Sequence, residues 1–219
     1  YGLIAELDHW IGKVLQTLED QGLTEQTLIV FTSDHGDYLG DHWLFGKESF
    51  YEESHRVPLI IVDPAAEAAP TRGTTCDAWV QLVDLLPTLV EWAGGRPGLK
   101  IEGRSLLPFL RNEPVPNWRK EVYAAWDYRH WYAPESASDA LCGRGFGIRD
   151  ESFNYWYIPG SRDVLFDLAK DPGELHNVAE HSEYAEVVGR YRERILRHLA
   201  TCTDARRTAW RIEERMRGS

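Results

Sequence analysis

Residues 27–64 read TLIVFTSDHGDYLGDHWLFGKESFYEESHRVPLIIVDP, two apolar runs enclosing a polar, glycine-punctuated stretch. Thr27 to Phe31 is β-branched and apolar without polar alternation, and Val57 to Val62 repeats the pattern. Such runs suit strands covered on both faces by helices, so a parallel sheet is expected here. The stretch between them, Ser33 to Arg56, is too rich in histidine, aspartate and aromatics to be a plain connector. In a parallel α/β sheet, ligands bind beyond the carboxyl ends of the strands, which is where Asp34 and His35 fall. Neighbouring side chains on a strand point to opposite faces, so these two meet at one ion only where the chain has left strand geometry. Gly36 is expected to supply the backbone freedom for that bend. A carboxylate beside an imidazole suits Mn²⁺, Zn²⁺ or Fe²⁺ better than an all-oxygen calcium or magnesium cage. Two ligands are too few for a tight site, so more must come from elsewhere. Lys47, thirteen residues after Asp34, is a cation within reach of the same crevice and suited to an anionic substrate or a departing oxygen. Each residue alone also has a bland reading, as a turn cap, an interior histidine and a surface lysine.

Working outward, Leu3 to Glu19 carries Ile4, Leu7, Ile11, Val14, Leu15 and Leu18 at three- and four-residue steps, an amphipathic helix ended by Gly22. After a weakly patterned loop over residues 65–75, Asp84 is placed to cap a helix through Leu85, Leu89 and Trp92 that stops at Gly94-Gly95, with Pro87 in its first turn. Arg96 to Asn117, with four prolines, reads as an ordered surface excursion and a boundary between subregions. Val122 to Trp126, Gly145 to Arg149, Phe153 to Ile158 and Val164 to Asp167 read as short strands of an antiparallel meander. Tyr184 to Leu199 and Ala205 to Met216 are helical by pattern. Two regions are therefore expected, residues 1–117 and 118–219.

The 219 residues carry 24 basic and 35 acidic side chains, a net charge of −11, with 43% hydrophobic residues. That is an ordinary globule with ample core, and its acidic balance argues against nucleic acid as a partner. No run approaches the roughly 18 apolar residues of a bilayer span. Arg190 to Arg217 holds nine arginines against four acidic residues. Two amphipathic helices with solvated or subunit-contacting polar faces explain this better than a nucleic-acid patch, and a homo-oligomer through these helices is the assembly expected. Cys76, Cys142 and Cys202 are odd in number and widely spaced, which supports neither a disulfide framework nor a zinc site and leans towards the cytoplasm. The chain opens at Tyr1 directly in a helical pattern and is read as a fragment of something longer.

Taken together the 27–64 block is much more specific than its parts. Strand, S-D-[HN]-G, G-[DE]-H, a lysine and R-V-P-L-I follow one another as in the sulfatase branch of the alkaline phosphatase superfamily, which this block closely resembles. LVDLLPTLVEWAG (82–94), EGRSLLPFL (102–110) and LFDLAKDPGELHNV (165–178) resemble further blocks of that family in its order. The fold this implies is α/β, part of an alkaline-phosphatase-like sandwich with a mainly parallel sheet flanked by helices, plus a smaller C-terminal antiparallel sheet with helices. His35, where many arylsulfatases have Asn, and the run GDHWLFGK look most like phosphonate monoester hydrolases and related phosphodiesterases; choline-sulfatase-like enzymes share the histidine.

By this resemblance Asp34 and His35 are metal ligands for one divalent ion (Mn²⁺, Zn²⁺ or Ca²⁺), and Lys47 contacts the transferred group or the leaving oxygen. His42 is a second candidate that orients either Asp34 or the loop, while Asp37 and Asp41 are turn formers. The implied chemistry is hydrolysis of a small-molecule sulfate, phosphate or phosphonate ester. The family's nucleophile, a cysteine converted to formylglycine or a serine in C/S-x-P/A-x-R, lies before the SDHG block and is not found in these residues. Cys202-Thr203-Asp204-Ala205-Arg206 has Asp204 where Pro or Ala belongs and stands at the wrong end. The 219 residues alone are therefore expected to be inactive. The alternatives are an arylsulfatase or choline-sulfatase-like enzyme and, from another class, a noncatalytic assembly module.

Overall fold

A computed structural model of the chain describes residues 1–97, 101–127 and 143–201. The chain divides into two compact units, one of Tyr1–Glu48 with Glu52–Trp118, the other of Ser49–Tyr51 with Arg119–Ser219.

In the first unit, helix α1 (Gly2–Asp20) follows the expected apolar periodicity. It ends where the Gly22 and Leu23 N–H groups turn back onto the carbonyls of Glu19 and Leu18, at 2.9 Å each, satisfying two of its last carbonyls. None of its residues is buried. Strands β1 (Ile29–Thr32) and β2 (Leu59–Val62) pair antiparallel, Ile29 opposite Val62 and Thr32 opposite Leu59. This corrects the expectation that these two strands run parallel. An unbroken apolar run reports cover on two faces and carries no information on direction. Here the connection between them holds a single-turn helix, α2 (Glu52–His55), and no crossover helix that would return the chain parallel.

Beyond β2, a 3₁₀ turn at Leu82–Asp84 leads into α3 (Leu85–Trp92), with Pro87 in its first turn and Gly94-Gly95 at its end, as expected. Asp84 is fully buried and stands at the N-cap position, yet its carboxylate caps no N–H of α3. It accepts from the backbone N–H of Gln81 and of Arg104, both at 2.8 Å. Thr88 donates to the Asp84 carbonyl and accepts from the Leu106 N–H. The segment around Gly103 therefore lies directly on the turn: a Cβ there would stand 1.9 Å from the Val83 carbonyl oxygen. The excursion after Arg96 is thus pinned inward, and Leu106 and Leu107, the latter opening the one-turn helix α4 (Leu107–Leu110), are buried.

The second unit is the expected meander, β3 (Glu121–Asp127), β4 (Arg144–Asp150), β5 (Phe153–Tyr157) and β6 (Val164–Asp167), each antiparallel to the next. Alternation along these strands sends Ile148, Tyr155 and Leu165 to one face, where Tyr191 and Ile195 of α5 (Ala185–Thr201) cover them. Trp156, Val164 and Phe166 go to the other, under Phe50 and Tyr51. Helix α5 is seated by carboxylates shared between tyrosine and arginine. Asp150 accepts from Tyr191 at 2.6 Å and from Arg194 at 3.1 Å, and Asp163 accepts from Tyr155 and Arg192 at 2.5 Å each. Burial pushes the Asp150 carboxyl up, but hydrogen bonds from Tyr191, the Ser152 and Phe153 amides and Arg194 outweigh it and hold the group below its ordinary range. Arg192, Arg194 and Arg197 thus spend their charge on carboxylates within the unit. The second helix expected at 205–216, with Cys202, lies outside the described residues, as does Cys142; Cys76 is a free, exposed thiol. Among the described residues no helix is long and apolar enough to cross a membrane.

Candidate active site

The carboxyl end of β1 is where the chain leaves the sheet. Thr32 donates to the Pro58 carbonyl at 2.8 Å, tying the last β1 residue to the entry of β2, and Ser33 donates to the His35 carbonyl at 2.7 Å. This bend brings the next two side chains to the same side: Asp34 Oδ2 lies 3.6 Å from His35 Nε2. His35 Nδ1 lies 2.7 Å from the Gly36 carbonyl, which can only accept. The proton therefore sits on Nδ1, and Nε2 presents its lone pair. Lys47 Nζ approaches that lone pair at 2.8 Å. Asp34, His35 and Lys47 thus come together, with Asp34 the most exposed of the bent pair at 83% against 37% for His35.

The role of Gly36 differs from the expectation. It is not among the residues with positive φ, so its conformation does not itself demand glycine. What demands it is space: a Cβ would stand 1.8 Å from the Glu53 carbonyl oxygen. The Gly36 N–H donates to the neighbouring Ser54 carbonyl at 2.9 Å, so α2 is laid against the bend.

His42 does a different job from the other three. Its side chain is 8% exposed, and its Nε2 lies 3.3 Å from Glu53 Oε2. Its ring meets the fully buried Tyr38 edge-on. The loop it stabilises is strained: Leu39, His42 and Trp43 all have φ between +51° and +61°, at roughly 1–2 kcal/mol each for residues with a Cβ. Backbone bonds from Tyr38 to the Gly46 carbonyl and from Gly40 to the Leu44 carbonyl, both 2.9 Å, hold it closed. Asp37 accepts from the Leu39 N–H as a turn former, and Asp41 opens the 3₁₀ turn Asp41–Trp43. Sequence reasoning passed over Glu53 and Ser54. Their only signal was a hydroxyl and a carboxylate one helical turn before R-V-P.

Whether the bent pair suits a metal can be judged from its donor set. Two donors 3.6 Å apart, each about 2.1 Å from a common ion, subtend roughly 110–120°. That is an ordinary angle for adjacent ligands, and one oxygen with one nitrogen fits a borderline divalent ion. Among the described residues no group of three or more His, Cys, Asp or Glu converges on one point, so the pair has no third partner of these types there.

A family model described as "N-sulphoglucosamine sulphohydrolase, C-terminal" matches residues 40–201. The chain belongs to this sulfatase family, within the alkaline phosphatase superfamily. A multifunctional alkaline phosphatase superfamily protein of Trinickia caryophylli is 34% identical over 96% of the chain and 41% of its own length. An N-acetylglucosamine-6-O-sulfatase of Bacteroides thetaiotaomicron is 36% identical over 84% of the chain and 32% of its own length. Among solved structures, the phosphonate monoester hydrolase of Agrobacterium radiobacter superposes with a TM-score of 0.82 at 36% identity, covering 91% of this chain and 41% of that one. This sulfatase-family chain therefore spans between a third and two-fifths of the length of these relatives. Its helix–strand class and its C-terminal antiparallel sheet match those structures.

Proposed function

We propose that this chain is the C-terminal part of a metal-dependent hydrolase of sulfate, phosphate or phosphonate esters, with Asp34 and His35 holding one divalent ion and Lys47 serving the anionic group. The observation that carries this is the meeting of Asp34 Oδ2, His35 Nε2 and Lys47 Nζ at the end of β1. A bound divalent ion would supply Lewis acidity and charge screening at an ester oxygen. The chain's own residues do the rest. The Gly36 carbonyl fixes the His35 tautomer, Asp34 adds the negative charge that favours a cation, and Lys47 places an ammonium where negative charge collects on a leaving oxygen. His42 and Glu53 keep the 38–46 loop closed beside Lys47. The nucleophile motif is absent from these residues, so they turn over no ester alone. Exposed apolar side chains on α1, among them Leu7, Trp10 and Val14, support a working state in which further sulfatase-domain polypeptide covers this unit.

Phosphonate or phosphate esters are favoured over sulfate by His35 in place of Asn and by the likeness to the phosphonate monoester hydrolase. The test is Mn²⁺ titration of the chain followed by NMR. Paramagnetic broadening confined to Asp34, His35 and their neighbours, and abolished in Asp34→Ala, is the expected result. Broadening spread evenly over surface carboxylates would remove the pair from the ligand set.

A further inference from the structure

Four hydrogen bonds around the candidate site close into a circuit. The Gly36 N–H donates to the Ser54 carbonyl, and the Gly36 carbonyl accepts from His35 Nδ1. His35 Nε2 accepts from Lys47 Nζ, and the Lys47 carbonyl accepts from Ser54 Oγ. Ser54 appears twice, through its backbone at the His35 end and through its hydroxyl at the Lys47 end. It is also the one fully buried member, at 4% exposure. Lys47 and Asp34 are exposed and lie outside the sheet, so little packing fixes their side chains. A buried group that grips both ends of the 35–47 segment is what holds these two loop positions in one geometry. The hydroxyl bond runs to a residue seven positions away, outside the helix that carries Ser54. It is therefore neither a local turn nor a helix cap.

We infer that Ser54 is the positioning residue of this site, holding the Lys47 main chain through its hydroxyl and the His35 tautomer, by way of Gly36, through its carbonyl. This rests on the proposed reading of Asp34, His35 and Lys47, and its test is separable from that reading. Removing the hydroxyl frees the Lys47 carbonyl, lets the lysine main chain drift, and withdraws the ammonium from His35 Nε2.

The experiment is ¹⁵N NMR of the histidine ring nitrogens in the full, metal-free chain at about pH 8, where histidines are largely neutral. In the wild type, His35 should show a protonated Nδ1 and an Nε2 resonance displaced upfield by its hydrogen bond to Lys47. Ser54→Ala should move Nε2 to the frequency seen in Lys47→Met, and Ser54→Thr, which keeps the hydroxyl, should restore it. A wild-type Nε2 frequency in a folded Ser54→Ala chain overturns the assignment. If the alanine chain does not fold, Ser54→Gly, which likewise lacks the hydroxyl, takes its place, and a wild-type frequency there is equally fatal. Mn²⁺ added to the wild type separates the two claims. Absence of broadening at His35 removes the metal reading while leaving the Ser54 result to be judged by the variants.

Discussion

Replacing Gly36 with alanine puts a methyl group where α2 already is. The added carbon would sit 1.8 Å from the Glu53 carbonyl oxygen and 2.9 Å from its carbon, so the Glu53–Ser54 peptide must retreat by roughly 1.2 Å to reach the shortest distances real Cβ atoms show. Overpacking of this kind costs about 1–3 kcal/mol. The retreat also stretches the 2.9 Å bond from the Gly36 N–H to the Ser54 carbonyl, worth about another 1 kcal/mol. A total of about 2–4 kcal/mol is expected, read as a lowered urea midpoint at unchanged slope. Gly36→Asn separates space from conformation. Were glycine needed for a left-handed backbone, asparagine would be the best-tolerated replacement, whereas a bulk conflict makes it worse than alanine. An Asn variant more stable than the Ala variant, or an Ala variant within about 0.5 kcal/mol of wild type, would refute the close-approach reasoning.

Asp84→Asn removes the charge that accepts two backbone N–H groups in a fully buried position, and a loss of about 2–4 kcal/mol in chemical denaturation is expected. Asp150 is held below the ordinary carboxylate range, burial notwithstanding, so its contribution is complete above about pH 4 and lost as acid carries pH through the folded value; Asp150→Asn should flatten that acid limb of a stability–pH curve. Tyr191 is pushed up to about 12 by burial and by Asp150, so it stabilises the fold fully below about pH 10 and the gain disappears as pH rises through the folded value; Tyr191→Phe should blunt the alkaline loss. Lys47→Ala, in a protein that carries the nucleophile, should cut turnover most for esters with poor leaving groups, and an equal loss across a leaving-group series would contradict its assigned role. In the isolated chain, Lys47→Met should strengthen Mn²⁺ binding by up to about tenfold, the worth of one charge-assisted hydrogen bond, as measured by titration.

The sheet of the second unit and the helix that covers it were legible in the sequence. Its strands alternate between two packed faces and its turns carry the right residues, so the pattern specifies both extent and antiparallel order. Helix α5 begins and ends within a residue or two of its pattern because an apolar stripe must face Ile148 and Leu165. The direction of β1 against β2 was not legible, since an unbroken apolar run looks the same either way along the sheet. At Gly36 the sequence identified the glycine and gave the wrong reason, because a bend and a close approach ask for the same residue. Ser54 was invisible for a further reason: its partner is a backbone carbonyl, which every residue possesses. Asp34, His35 and Lys47 were legible as candidates because side-chain chemistry, unlike register, is written in the letters, and the structure brings the three together.

The contact between Lys47 and His35 bears on what the lysine is for. An imidazole nitrogen has one in-plane lone pair, so Nε2 cannot accept from the ammonium and bind a cation at once. On the proposed reading the two are alternatives. A divalent cation held by that lone pair would repel the ammonium by more than the single hydrogen bond between Lys47 and His35 is worth. The lysine side chain has four carbons of reach, and its carbonyl is gripped by Ser54, so the ammonium can leave without moving the main chain. On that reading Asp34 already supplies one negative charge to the cation, and a bound oxyanion would offer the displaced ammonium another. On the proposed reading the stem that meets His35 Nε2 without a cation would turn to an anionic group with one bound, and a fixed Lys47 backbone would serve both positions.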